Sequence, residues 1–168
     1  MIGLSYKYKV SLVPTEGVLY FHPMEKFDDH YFMKQALLEA QKAYDADEVP
    51  VGAVVVIDNK IIARAHNLTE RLNDVTAHAE MQAITAAANF LNGKYLIGCS
   101  LYVTLEPCVM CMGAIYWSQL SKVVFGAKDK KRGYQQAQLT PHPKATVLEG
   151  IMADEAAALI QGFFQKKR

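Results

Sequence analysis

Residues 101–127 read LYVTLEPCVMCMGAIYWSQLSKVVFGA, and this one stretch decides the architecture. Leu101-Tyr-Val-Thr-Leu105 is an apolar run rich in strand formers that stops at Glu106-Pro107, as a strand running into a turn does. A helix is expected from Cys108 to Ser118, begun by Pro107, whose ring pre-sets the backbone angle of a first helical turn. Lys122-Val-Val-Phe-Gly-Ala127 is then a second strand. Strand, helix and strand in so short a span make a crossover unit, so the two strands should lie parallel in one sheet.

The pattern extends both ways from there. Downstream, Ala145-Thr-Val-Leu148 is a weaker strand, expected to run parallel to the previous two, and Ala153 to Lys166 is an amphipathic helix. Upstream, Val51-Gly-Ala-Val-Val-Val-Ile57 and Lys60-Ile-Ile-Ala-Arg-Ala65 are β-branched runs joined by Asp58-Asn59, which predicts a hairpin with a tight turn. The first run is apolar enough for a central strand. Before it, Met33, Ala36, Leu37, Ala40, Ala43 and Tyr44 recur at helical spacing, with Asp28 or Asp29 as N-cap and an end near Asp45. Residues 77–90 carry another helix. Helices alternating with strands predict a layered α/β domain over residues 27–168. Residues 1–26 hold no long period and are broken by Pro14, Gly17 and Pro23, so they are read as an N-terminal extension. The shift of pattern at Met24 gives a second expectation, that translation begins there and residues 1–23 are a gene-model artefact.

Composition narrows the class. Of 168 residues 51% are hydrophobic and 21% charged, enough to build a core and inconsistent with disorder over most of the length. The 18 Lys and Arg against 17 Asp and Glu leave a net charge of +1, so any basic surface for a polyanion must be local. The longest uncharged run, Pro107 to Ser121, is shorter than the ~20 apolar residues of a membrane span, and no membrane association is expected. The first residues lack the apolar core and cleavage site of a secretory signal. Three cysteines are too few for a disulfide framework, and Cys108-x-x-Cys111 in a reducing compartment suggests metal or redox chemistry, which makes the cytoplasm the expected location.

Two helix starts carry the chemistry. Thr76-Ala-His78-Ala-Glu80 opens one and Glu106-Pro-Cys108-Val-Met-Cys111 the other. One imidazole with two thiolates is the three-ligand arrangement of a catalytic zinc, which leaves a fourth position for water. The positive end of the helix dipole at the second start favours thiolate over thiol. Glu80 stands about 200° around a helix from His78, too far to share the ion, and suits general acid/base work beside the bound water. Lys128, Lys130, Lys131 and Arg132 surround Asp129 directly after the strand that ends at Ala127, a local basic segment with Tyr134 near enough to stack on a splayed base. Cys99, His22, His30, His66 and His142 lack ligand spacing and are read as structural.

His-Ala-Glu followed by Pro-Cys-x-x-Cys matches the signature of the zinc deaminases. Together with Glu48-Val-Pro-Val-Gly-Ala53, His66-Asn67 and Val123-Val-Phe-Gly-Ala127, it makes residues 27–168 resemble the bacterial tRNA-specific adenosine deaminases. That resemblance implies a three-layer α/β/α, cytidine deaminase-like fold with a five-stranded mixed sheet and helices on both faces. It implies a homodimer that converts adenosine to inosine at the wobble position of a tRNA anticodon stem-loop, with no DNA substrate. Zinc would be held by His78, Cys108 and Cys111, with Glu80 catalytic. Asn67 would hydrogen-bond the base, and Phe164, ahead of Lys166-Lys-Arg168, would approach the anticodon loop beside Lys128, Asp129, Lys130, Lys131 and Arg132. The segment between Gly133 and Pro143 is Gln-rich and shorter than in other members, and Gly113-Ala-Ile-Tyr-Trp117 is similar to guanine deaminases. A guanine, cytosine or nucleoside deaminase is therefore a second expectation, and a non-catalytic zinc-stabilised RNA-binding module a third.

Overall fold

The computed structural model describes residues 27–168 and, ahead of them, the backbone of two strands, β1 (Tyr8–Leu12) and β2 (Leu19–Pro23). These two pair antiparallel, Tyr8 opposite Pro23 and Leu12 opposite Leu19, within the segment read as an N-terminal extension. The sequence reading assigned no strand there, because an alternation only five residues long in β1 is brief against the prolines and glycine around it. The expectation of a translation start at Met24 falls outside the described residues.

The main domain runs α1 (Asp29–Asp45), β3 (Gly52–Ile57), β4 (Lys60–His66), α2 (Ala79–Leu91), β5 (Ser100–Leu105), α3 (Val109–Trp117), β6 (Lys122–Ala127), β7 (Thr146–Glu149) and α4 (Ala153–Lys166). Its sheet has the order β4-β3-β5-β6-β7. β3 is antiparallel to β4 and β5, whereas β5, β6 and β7 are mutually parallel, as the crossover reading requires. The hairpin turn forms where expected. Asp58 and Asn59 both take positive φ, 48° and 62°, the pair of left-handed residues that a two-residue turn uses to match strand twist.

Successive residues of a strand point to opposite faces, and the core divides accordingly. Ala53, Val55, Leu101, Val103, Val123 and Phe125 pack with Ala79, Ala83, Met112 and Ile115 of α2 and α3. Val54, Val56, Tyr102 and Val124 pack with Phe32, Met33 and Ala36 of α1 on the other face, where α4 adds Ala156. The result is the three-layer α/β/α sandwich. Each fully buried Val or Phe contributes about 1.5–3 kcal/mol relative to exposure. Gly52 lets α1 lie directly on the sheet, because a Cβ there would fall 2.2 Å from the Ala36 carbonyl oxygen and the Ala40 nitrogen.

This topology aligns the C-terminal ends of β4, β5 and β6 at one edge of the sheet: Gly52 pairs with His66, Ala53 with Val103, and Leu105 with Ala127. Segments leaving those ends meet in one place, the position at which open α/β sheets bind ligands.

Candidate metal centre and substrate cleft

β4 delivers Asn67, β5 delivers Glu106 to Cys108, and β6 delivers Lys128 to Arg132. Opposite them, α2 starts with His78 as N-cap, and α3 starts with Cys108 in the same role. Sequence reading put both cysteines inside the first turn of a helix begun by Pro107. In the structure Cys108 sits one step earlier, with extended backbone (φ −74°, ψ 175°), and only Cys111 is helical. The extended cap lets the Cys108 thiol turn back toward Cys111.

His78 Nδ1 lies 3.7 Å from Cys108 Sγ and 3.5 Å from Cys111 Sγ. All three ligand atoms fall within 4.8 Å of one another, and among the described residues no other group of His, Cys, Asp and Glu does so. A tetrahedral zinc with Zn–N near 2.0–2.1 Å and Zn–S near 2.3 Å would separate N from S by about 3.6 Å, so the residues present fit that ion. Their protonation says the same. Hydrogen bonding from Cys111 lowers the Cys108 thiol to about 4, against its burial, and His78 adds to the effect. The hydrogen bond to Cys108 raises His78, and Cys111 is raised in turn because its proton is held by the Cys108 sulfur. Protons hold together a ligand group that a soft dication would bind in their place.

Glu80, in the first turn of α2, is buried, and burial pushes its carboxyl up to about 7. A dication in the ligand group would draw it back toward the ionised form. A carboxyl raised toward neutrality by burial can exchange protons in both directions.

Above this group opens a cleft of about 780 Å³. Asn67, Lys128, Asp129, Lys131, Arg132 and Phe164 all line it, as do His78, Glu80 and Cys108. Asn67 is buried and its Oδ1 accepts the Ala79 N–H at 2.9 Å, which leaves its amide NH2 as the free polar group. Asp129 Oδ1 accepts the N–H groups of Lys131 and Arg132 and so folds the basic turn. Lys128 is paired with Glu149 at 2.9 Å. Lys130 is exposed on the same turn, outside the residues that line the cleft. Tyr134 is buried edge-on against Phe125, so it is a core residue and not the base-stacking platform expected from the sequence. Phe163 is buried and Phe164 half exposed, so only the latter faces the cleft.

Cys99 lies wholly in the core. His142 packs on Tyr116, and His66 lies 3.6 Å from Glu39 and not in the cleft lining. Three buried carboxylates were given no role in the sequence reading: Glu39, paired with Lys42 and Arg64, and two that bind backbone. Glu48 accepts the Thr69 hydroxyl and the N–H groups of Glu70 and Arg71, and Glu106 accepts those of Asp129 and Gln135. The signal for each was an acid set against an apolar strand, Glu48 before Val51–Ile57 and Glu106 after Leu101–Leu105.

Comparison with known proteins bears on this geometry. The profile of the cytidine and deoxycytidylate deaminase zinc-binding region matches residues 26–127. The tRNA-specific adenosine deaminase of Aquifex aeolicus is 47% identical over 143 residues, covering 82% of this chain and 95% of that protein. A solved structure from biochemical and structural studies of A-to-I editing by tRNA:A34 deaminases at the wobble position of transfer RNA superposes with a TM-score of 0.72. It is 44% identical and is covered to 98%, with 77% of this chain. The guanine deaminase of Bacillus subtilis is 30% identical with a TM-score of 0.61, over 83% of this chain and 95% of that one.

Proposed function

Because the chain belongs to the cytidine and deoxycytidylate deaminase zinc-binding family, and within it to the tRNA-specific adenosine deaminases, we propose that it hydrolyses adenosine to inosine at the wobble position of a tRNA anticodon. The observation that carries the reading is the 47% identity to a tRNA-specific adenosine deaminase over 95% of that protein's length, against 30% to a guanine deaminase. The cleft agrees with it. Its mouth is open and rimmed by Lys131 and Arg132, suited to a base presented on a phosphate backbone.

His78, Cys108 and Cys111 would hold the zinc. Bound there, zinc supplies a water acidic enough to act as nucleophile near neutral pH. With the metal held there, Glu80 would be the group that moves protons: one from the attacking water to N1 of adenine as oxygen adds to C6, and the remaining one to the departing amine, so that the C6–N6 bond breaks and ammonia and inosine leave. Asn67 donates its free NH2 to an acceptor on the purine, its oxygen being held by Ala79. Phe164 and the turn Lys128 to Arg132 grip the anticodon loop around the flipped nucleotide, with Lys130 reaching backbone outside the cleft.

A homodimer fits the face of α3, where Val109, Tyr116 and Trp117 are exposed, Trp117 to 78%. Among the described residues no helix is long and apolar enough to cross a membrane. The tRNA substrate and the reduced thiols together favour the cytoplasm.

The test is an assay of zinc-loaded protein on an adenosine-containing anticodon stem-loop beside free guanine, cytosine and cytidine. Inosine and ammonia are expected from the stem-loop alone. Turnover of guanine without the stem-loop would replace this reading with the small-molecule one, and binding of RNA without ammonia release would leave only a binding module.

A further inference from the structure

Glu106 is 4% exposed, yet it carries no role in the chemistry above. Its Oε2 accepts the Asp129 N–H at 3.1 Å and its Oε1 the Gln135 N–H at 3.0 Å. The two donors flank Lys130, Lys131 and Arg132 on either side. Its own N–H donates to the Ala127 carbonyl at 2.8 Å, and Tyr134 N–H donates to the Pro107 carbonyl at 2.9 Å, while Cys108 and Gly133 form a β-bridge. The turn is thereby laced to the three residues that end in a metal ligand. Gly133 is part of the same fitting, because a Cβ there would lie 2.3–2.5 Å from the carboxyl atoms of Glu106.

We propose that Glu106 is a positioning residue for substrate: its carboxylate fixes the Lys128–Gln135 turn over the metal group, so that the groups contacting RNA and those performing the chemistry keep one spacing. The inference rests on the tRNA reading above. A carboxylate is suited to the task because both oxygens accept, whereas a glutamine would offer one acceptor and turn an NH2 against the second N–H. Electrostatics alone points the other way. A negative charge lining a cleft for a polyanion repels it, so simple neutralisation should tighten binding. Positioning and charge thus predict opposite signs for the same substitution.

The experiment measures KM and kcat on the adenosine stem-loop, zinc content and melting temperature for Glu106→Gln and Gly133→Ala. Both variants should keep zinc, raise KM by about tenfold, the scale of a lost hydrogen bond to a charged group, and hold kcat within about twofold. Gly133→Ala displaces the carboxylate with no change of charge, so a matching rise in KM identifies geometry as the cause. An unchanged or lower KM in Glu106→Gln, or a loss confined to kcat, overturns the proposal. If Glu106→Gln does not fold, Gly133→Ala decides by the same criteria. Should the wild-type protein leave the stem-loop untouched, the tRNA reading fails first and separately.

Discussion

The start of α1 and the starts of α2 and α3 solve one physical problem in different ways. Every helix begins with backbone N–H groups that lack partners. At α1, Asp28 answers one, accepting the Tyr31 N–H at 2.8 Å, and Asp29 ties the same turn to the sheet through Tyr102 and Lys122. At α2 and α3 the N-cap positions are held by His78 and Cys108, with the same extended backbone but no side-chain capping bond. Good caps are worth about 0.5–2 kcal/mol each. Three of the four helices in the domain start without such a bond, and at α2 and α3 the capping residue belongs to the ligand group instead; α2 recovers part of the contribution from Asn67, a residue of another segment. Capping side chains thus serve stability at α1, whereas at α2 and α3 the same positions present the ligand group.

If the metal takes the place of the missing caps, its removal should hurt most. Cys111→Ala should lose zinc and all turnover, and chelation should lower the melting temperature of the wild type but not of the variant. Zinc at about 1,000-fold over its dissociation constant stabilises by roughly 4 kcal/mol. Equal chelator sensitivity in both proteins would break the comparison. Glu80→Gln sharpens it from the other side: zinc content and melting temperature should stay, while kcat falls by about 100-fold or more. Near-normal turnover removes Glu80 from its role.

Asn67 both accepts the Ala79 N–H at the start of α2 and lines the cleft, and its variants should separate the two. Asn67→Asp keeps an oxygen for the Ala79 N–H and removes the NH2, so stability should change little while turnover of the stem-loop falls. Asn67→Ala loses both, at a further cost of about 1 kcal/mol in unfolding experiments. Wild-type turnover in Asn67→Asp, with only the stability loss in Asn67→Ala, would show that Asn67 is a cap and nothing more.

Much of this was legible in the chain. The hairpin at Asp58-Asn59 and the parallel direction of the strands around the Pro107 crossover were legible because they are local signals, each read within a few residues. The meeting of His78, Cys108 and Cys111 was legible because metal chemistry narrows residue type and spacing together. What escaped depends on long-range pairing. Glu48 and Glu106 act on segments more than twenty residues away, and no local pattern shows that a buried acid is satisfied by distant amides. Tyr134 looked available because it follows a basic run. It is drawn under Pro107 and onto Phe125 by the same lacing that Glu106 anchors.

The smallest predicted effect lies at α1, where the comparison requires a stability effect with no functional one. Asp29 Oδ1 accepts the Tyr102 hydroxyl at 2.7 Å and a Lys122 ammonium hydrogen bond at 2.6 Å. Partial burial would raise its carboxyl, but those two bonds outweigh it and hold the group below its ordinary value of 3.8. A carboxyl lowered on folding contributes its stability fully above the ordinary value and loses it as pH falls through the folded one. Asp29→Asn should therefore cost about 1 kcal/mol at neutral pH, discounted for the partial exposure of the pair, and the gap to wild type should close as denaturation is followed into acid below the ordinary value. Zinc content and kcat should not move, because the residue lies across the sheet from the ligand group. A fall in kcat without loss of zinc would show that the two faces are coupled and that the division between a stabilising and a chemical set of helix starts is wrong.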